Sequence, residues 1–239
     1  EGITGATLGE VTASAVAKME RLAHFRPDIV CLPETFHTAG LTGSRPSVAA
    51  AAETPPGPLT RPFVEFAQRH QCYVICPIYT REGGECFNAA VLIDRQGRIA
   101  GEYRKIHPTE SEIEDGVAPG PEEPPVFDTD FGRIGIQICF DIHWQEGWRR
   151  LGEKGAELVF WPSAFAGGRM LNAQAWMNRY CVVSSTQKDE VKICDITGEE
   201  LARSGRWQRW GVSVPVNLEK VLIHTWPYVH RFGEIQAKY

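Results

Sequence analysis

A chain of 239 residues, 43% hydrophobic and 23% charged, is long enough to bury one large α/β core as a single domain, 1–239. A formal charge of −5 supplies no basic footprint for nucleic acid, and no apolar run is long enough for a membrane-spanning helix. Seven cysteines, an odd number, lie mostly in apolar strand-like runs, which fits a reduced, cytoplasmic chain rather than a disulfide framework; no secretory signal pattern opens the sequence.

Val11, Ala15, Met19, Leu22 and Phe25 recur at helical spacing and predict a helix over Glu10 to Phe25. Pro27-Asp28 breaks it. The continuous apolar run Ile29-Val30-Cys31-Leu32 then has the pattern of a strand covered on both faces, and it delivers Glu34 to its carboxyl end. A carboxylate there is either solvated or used, because strand ends of open α/β sheets face the binding crevice. Thr38 to Pro58 reads as loop with a short helix over Ser47 to Glu53. Thr60 is placed to cap a helix through His70, after which Cys72 to Cys76 resumes strand character. Cys72 and Cys76 share a strand face, but no matching His or Cys pair completes a zinc set. Arg81 to Gly84 and Arg95-Gln96-Gly97 read as hairpin turns flanking the strand Asn88 to Asp94, and Arg98 to Tyr103 runs on into Lys105. Hairpins beside helix–strand alternation predict mixed sheets.

Gly135 to Phe140 is an apolar strand that presents Cys139 at its end, ahead of a helix from Trp144 to about Lys154. Its residues leave two readings open: an inert core thiol, the common fate of free cysteine, or a nucleophile on a strand-to-helix turn. Lys105, followed by Glu110, Glu112, Glu114 and Asp115, is equally open: a solvated ion-pair patch, or the cation that a thiol's tetrahedral intermediate requires. Leu158 to Trp161 is a further buried strand. Met170, Ala173, Met177 and Tyr180 form an apolar helical stripe, hence a core or interface face. Cys181 to Ser185 and Val191 to Ile196 read as strands, Val212 to Val216 and Val221 to Thr225 as the completion of a second sheet, and Val229 to Tyr239 as a polar tail.

Three stretches, Leu32-Pro33-Glu34, Tyr103-Arg104-Lys105-Ile106-His107-Pro108 and Gly135-Ile136-Gln137-Ile138-Cys139-Phe140-Asp141 with Glu146 beyond, resemble in that order the active-site motifs of the carbon-nitrogen hydrolase (nitrilase) superfamily. Asn88 to Gly97, Phe127 to Gly135, Trp161-Pro162-Ser163 and Asn178-Arg179-Tyr180 extend the resemblance over about Glu10 to Glu219. It implies an αββα sandwich in which Glu34 is the general base, Cys139 the nucleophile and Lys105 the electrostatic partner of the tetrahedral intermediate. The backbone N–H of Phe140 would be the second oxyanion donor. A second glutamate after the lysine is also implied; Glu112 matches its spacing best, with Glu114 the alternative.

Trp161, Ser163, Ala164 and Phe165, together with His143, are the implied substrate contacts. Cys139-Phe140-Asp141 departs from the Cys-Trp-Glu of true nitrilases toward the amidase and carbamoyl-hydrolase branches. The implied reaction is therefore hydrolysis of a linear amide or N-carbamoyl amine through a Cys acyl-enzyme, with no cofactor or metal. Gln145 stands where the superfamily commonly has proline. Nitrile hydrolysis, acyl transfer to an amine and a non-catalytic binding role remain open. The resemblance further implies a homodimer or higher homo-oligomer assembled through the helices flanking the cysteine. Glu1 to Gly9 is a poor match to the usual first strand, and a C-terminal tail is expected from about residue 226.

Overall fold

In the computed structural model, which describes residues 2–188, 190–204 and 211–238, the expected first helix forms as α1 (Leu8–Leu22), followed by a 3-10 turn over Ala23–Phe25. Glu1 and Tyr239, the ends of the terminal segments read above, lie outside the described residues. The Thr7 hydroxyl accepts from the backbone N–H of Glu10 and caps α1, a contact that stabilises a helix by about 1 kcal/mol. Val11, Ala15 and Met19 are buried with Phe63, Phe66 and Ala67 of α4 (Arg61–His70) against one face of a sheet. The strands of that sheet follow sequence order: β1 (Ile29–Cys31), β2 (Tyr73–Glu82), β3 (Glu85–Ile93) and β4 (Ile99–Arg104). β1 and β2 are parallel, and the two hairpin pairs that follow are antiparallel. Between β1 and α4 lie two short helices, α2 (Phe36–Ala39) and α3 (Val48–Ala51), and α5 (Glu110–Glu114) follows β4.

The second sheet has the order β10 (Glu200–Arg203), β9 (Lys192–Cys194), β8 (Cys181–Thr186), β7 (Leu158–Ser163), β6 (Gly132–Ile136) and β5 (Val126–Thr129). Its β6–β7–β8 centre is parallel and the outer pairs are antiparallel. α6 (Gln145–Glu153) and α7 (Arg169–Asn178) cover its outer face, burying Trp148, Leu151, Leu171 and Ala175 against Val159, Trp161 and Val182. Between the sheets, Tyr73, Ile75, Ala90 and Leu92 meet Ile134, Ile136, Leu158 and Phe160. The layers are α, β, β, α, the mixed-sheet sandwich the resemblance implies. No described helix is long and apolar enough to cross a membrane.

Several elements differ from their sequence patterns. Thr60 is itself helical, and its hydroxyl bonds Glu53 and Gly57; the Glu53 carboxylate takes the backbone N–H groups of Leu59 and Thr60 instead, because its longer side chain reaches two orphan donors at once. On α7 the buried face is Leu171, Gln174 and Ala175, so the Met170–Ala173–Met177 stripe lies on the outer side, with Met177 60% exposed. Of the stripe read as a core or interface face only Tyr180 is buried, and it lies beyond the helix.

Residues 212–218 keep a strand's alternation, Val212, Val214, Val216 and Leu218 half-buried between exposed neighbours, but no ladder forms over them among the described residues. Pro215 has no N–H to offer one. Val221, Leu222 and Ile223 are exposed and Thr225 opens a short helix, α8 (Thr225–Tyr228). The tail expected to be polar is helical and carries outward apolar side chains: α8 and α9 (Phe232–Lys238) bury none, and Trp226 is 73% exposed. Near the start, Gly5 makes an isolated bridge to Leu41 where a first strand would run. Cys72 and Cys76 are packed in the helix–sheet core.

Candidate active site

Glu34, Lys105 and Cys139 follow the carboxyl ends of β1, β4 and β6, two from one sheet and one from the other. Backbone pairing continues past each strand: Leu32 N–H to Ile75 O, Lys105 N–H to Asn88 O, and Gln137 N–H to Phe160 O. These bonds fix the three exits. Cys139 then turns sharply, with φ +46° at the first residue of a 3-10 turn over Cys139–His143. A non-glycine residue in this region is strained by about 1–2 kcal/mol. The Trp161 indole N–H donates to the Cys139 carbonyl at 3.0 Å and helps hold the turn.

All three groups are buried: Glu34 is 4% exposed, Lys105 1% and Cys139 7%. Lys105 Nζ donates to Glu34 Oε1 at 2.9 Å and to Glu112 Oε2 at 2.7 Å. The Asn88 amide lies across the same pair, donating to Glu34 Oε1 at 2.8 Å and to Glu112 Oε1 at 2.6 Å. Glu112 is seated by a capping box: Thr109 and Glu112 exchange side-chain to backbone bonds at the start of α5. Glu114, the alternative second glutamate, is exposed on the same helix.

Burial pushes the Lys105 ammonium down, but the facing carboxylates of Glu34 and Glu112 outweigh it and hold the pKa above its ordinary value. The Glu112 carboxyl is likewise pushed up by burial and, on balance, held low by Lys105. For Cys139, burial and then the Glu34 charge push the thiol from 9.0 up to about 12, against the pull of Lys105, the Ser163 hydroxyl and the Ala164 backbone N–H. The resting thiol is therefore protonated at neutral pH, and its attack requires a base beside it.

The candidate substrate contacts divide. Ser163 is buried and Ala164 half-buried, and both stand beside the thiol as groups that pull its pKa down. Trp161 is closed off from solvent: its indole packs in the cluster beneath α6 and α7 and supports the Cys139 turn through its N–H. Phe165 and His143 lie outside, stacked at 6.5 Å between centroids, and Phe140 and Trp144 continue this aromatic rim, with His107 stacked on Trp144 at 4.0 Å.

Three contributions were missed in the sequence. Asn88, an amide inside an apolar strand, is the one with a readable signal, since a buried amide needs partners. Gln187 donates to the Glu34 carbonyl from the far end of β8, and Asp141 is engaged by Tyr103 and His107; neither pairing leaves a trace in spacing.

Two mixed sheets face to face, with a Glu, a Lys and a Cys at one shared rim, define a nitrilase-type fold. The structure superposes with a TM-score of 0.75 on an amidase from Nesterenkonia sp., 20% identical, over 86% of this chain and 83% of that one. Against a Saccharomyces cerevisiae member of branch 10 of the nitrilase superfamily the score is 0.73 at 20% identity, covering 85% and 83%.

The chain belongs to the carbon-nitrogen hydrolase family, whose model matches residues 8–210. It is 31% identical over 182 residues to a deaminated glutathione amidase of Synechocystis sp., covering 67% of this chain and 65% of that protein. It is 35% identical over 148 residues to a beta-ureidopropionase of Arabidopsis thaliana (59% and 36% covered) and 27% identical over 184 residues to a citrullinase of Francisella tularensis (62% of each). The chain thus spans less than two thirds of the length of these relatives.

Proposed function

We propose that the protein hydrolyses a linear amide or N-carbamoyl amine through a thioester on Cys139. The observation that carries this reading is the Lys105 ammonium, buried between two carboxylates at the rim where the Cys139 thiol emerges. Glu34 takes the thiol proton as sulfur attacks the carbonyl carbon. Lys105 and the Phe140 N–H, near the start of a turn whose first donors have no intrahelical partner, hold the developing oxyanion. Glu34 returns the proton to the leaving amine, and then activates the water that cleaves the thioester. Glu112 keeps Lys105 in place throughout. The amidase, ureidopropionase and citrullinase among the relatives support the amide and carbamoyl classes over nitriles. Ser163, Ala164 and the rim of Phe165 and His143 are assigned to the substrate's acyl side.

A panel of short amides, N-carbamoyl amines and nitriles, assayed for ammonia and for an acyl adduct on Cys139 by intact mass, tests this. Release of ammonia from the first two classes with a trapped adduct is expected. A panel without ammonia or adduct would favour a binding protein on the same fold, and turnover only with an added amine would favour acyl transfer.

The same reading carries a homo-oligomer, assembled through the helices that follow Cys139. Trp176 and Met177, 50% and 60% exposed on α7, present apolar surface on that side. Light scattering is expected to give at least twice the 26.7 kDa of the chain; a lone monomeric species at micromolar concentration would remove the proposal.

A further inference from the structure

The Asp141 side chain is fully buried, two residues past Cys139. Its Oδ2 accepts from the Tyr103 hydroxyl at 2.7 Å and from the Ile138 N–H at 3.0 Å. Its Oδ1 accepts from the His107 N–H at 2.9 Å and pairs with His107 Nδ1, also at 2.9 Å. These partners are not scattered. Tyr103 and His107 stand two residues to either side of Lys105, and Ile138 immediately precedes Cys139. One carboxylate therefore clamps the strand exit that carries the ammonium onto the turn that carries the thiol, across the gap between the sheets.

Both ends of the clamp are themselves fixed. Gln137 Nε2 lies 3.1 Å from the Tyr103 oxygen, which accepts there while donating to Asp141. The Trp148 indole N–H donates to the Asp141 carbonyl at 3.1 Å and anchors it to α6. A buried carboxylate costs far more than it returns unless its lone pairs are filled, and here donors from both layers fill them.

We propose that Asp141 is a positioning residue that sets Lys105 and Glu34 in register with Cys139, acting through Tyr103, His107 and Ile138 and never touching substrate. The inference rests on the reading of Lys105 and Cys139 as one catalytic unit.

Asp141→Asn is nearly isosteric but turns an N–H₂ toward groups that themselves donate. With a misplacement on the ångström scale, kcat is expected to fall about 100-fold while KM changes less than about threefold. Iodoacetamide alkylation of Cys139, followed by peptide mass and needing no substrate, is expected to slow about tenfold as the thiol loses its aligned base and cation. Tyr103→Phe removes one donor and should cost kcat several-fold, and the double variant should be no slower than Asp141→Asn within about twofold, because both act through one contact.

Turnover and alkylation of Asp141→Asn within twofold of the parent, or additive losses in the double variant, would overturn the proposal. If Asp141→Asn does not unfold cooperatively, Tyr103→Phe, which keeps the carboxylate, decides by the same two rates. A parent protein that turns over no member of the amide panel removes the hydrolase reading, while the alkylation rates still decide the role of Asp141.

Discussion

Replacing Cys139 with alanine is expected to lower turnover about a thousandfold or more while leaving cooperative unfolding intact, because one sulfur atom is lost from a site already shaped around it. Stalled turnover should leave an acyl mass on the parent protein and none on the variant. The size of the effect follows from the thiol's environment. Burial and Glu34 push Cys139 up to about 12, so no standing thiolate exists at neutral pH to be replaced by a weaker nucleophile. Everything depends on sulfur being deprotonated during attack, and alanine leaves nothing to deprotonate. Full activity in Cys139→Ala on a confirmed substrate would remove the nucleophile assignment.

Lys105→Met has the largest expected effect on the protein itself. It keeps most of the side-chain volume but leaves Glu34 and Glu112 facing each other across Asn88 with no cation between them. Removing one partner from a buried ion pair costs about 3–5 kcal/mol, and loss of the oxyanion's charged donor about 10²–10³ in kcat. The pH dependence gives the sign. In the parent, Lys105 more than offsets the upward push of burial and holds Glu112 below its ordinary 4.5, so that group stabilises above 4.5 and loses its contribution as pH falls through the folded value. Without the ammonium, burial and carboxylate repulsion raise the folded value, and the contribution is lost as pH rises instead. Denaturant titrations should therefore show the stability gap between variant and parent widening from pH 4 to pH 7. A gap that is constant, or widest in acid, would show that Lys105 does not neutralise these carboxylates.

The candidate residues Glu34 and Cys139 are legible as strand-end groups because each follows an apolar strand run, while Lys105 follows a polar strand end and stands out only beside the motif resemblance. The roles proposed for Glu34, Lys105 and Cys139 come from the resemblance of their motifs to the superfamily, and Glu112 stands out because its distance from the lysine matches the second glutamate that resemblance implies. What periodicity cannot report is which exits converge, since Asp141 finds Tyr103 and His107 only through the packing of two sheets. The misplaced elements have local causes. Of the two readings of the α7 stripe, core or interface, the core one does not hold, because Leu171, Gln174 and Ala175 form the buried face and Met170 and Met177 point outward. The segment around Val212 has a strand's alternation, but Pro215 has no N–H to give and no ladder forms over it among the described residues. The family resemblance implies Trp161 as a substrate contact; its indole is instead fully buried in the cluster beneath α6 and α7, with its N–H on the Cys139 carbonyl.

Glu34 and Lys105 travel with one sheet and Cys139 with the other. Neither layer on its own carries a reaction centre, and no single loop can be lifted out with the chemistry attached. On the proposed reading, the smallest transplantable unit of the activity is the docked pair of sheets, and a change that shifts one layer against the other disturbs it without touching any of the three side chains.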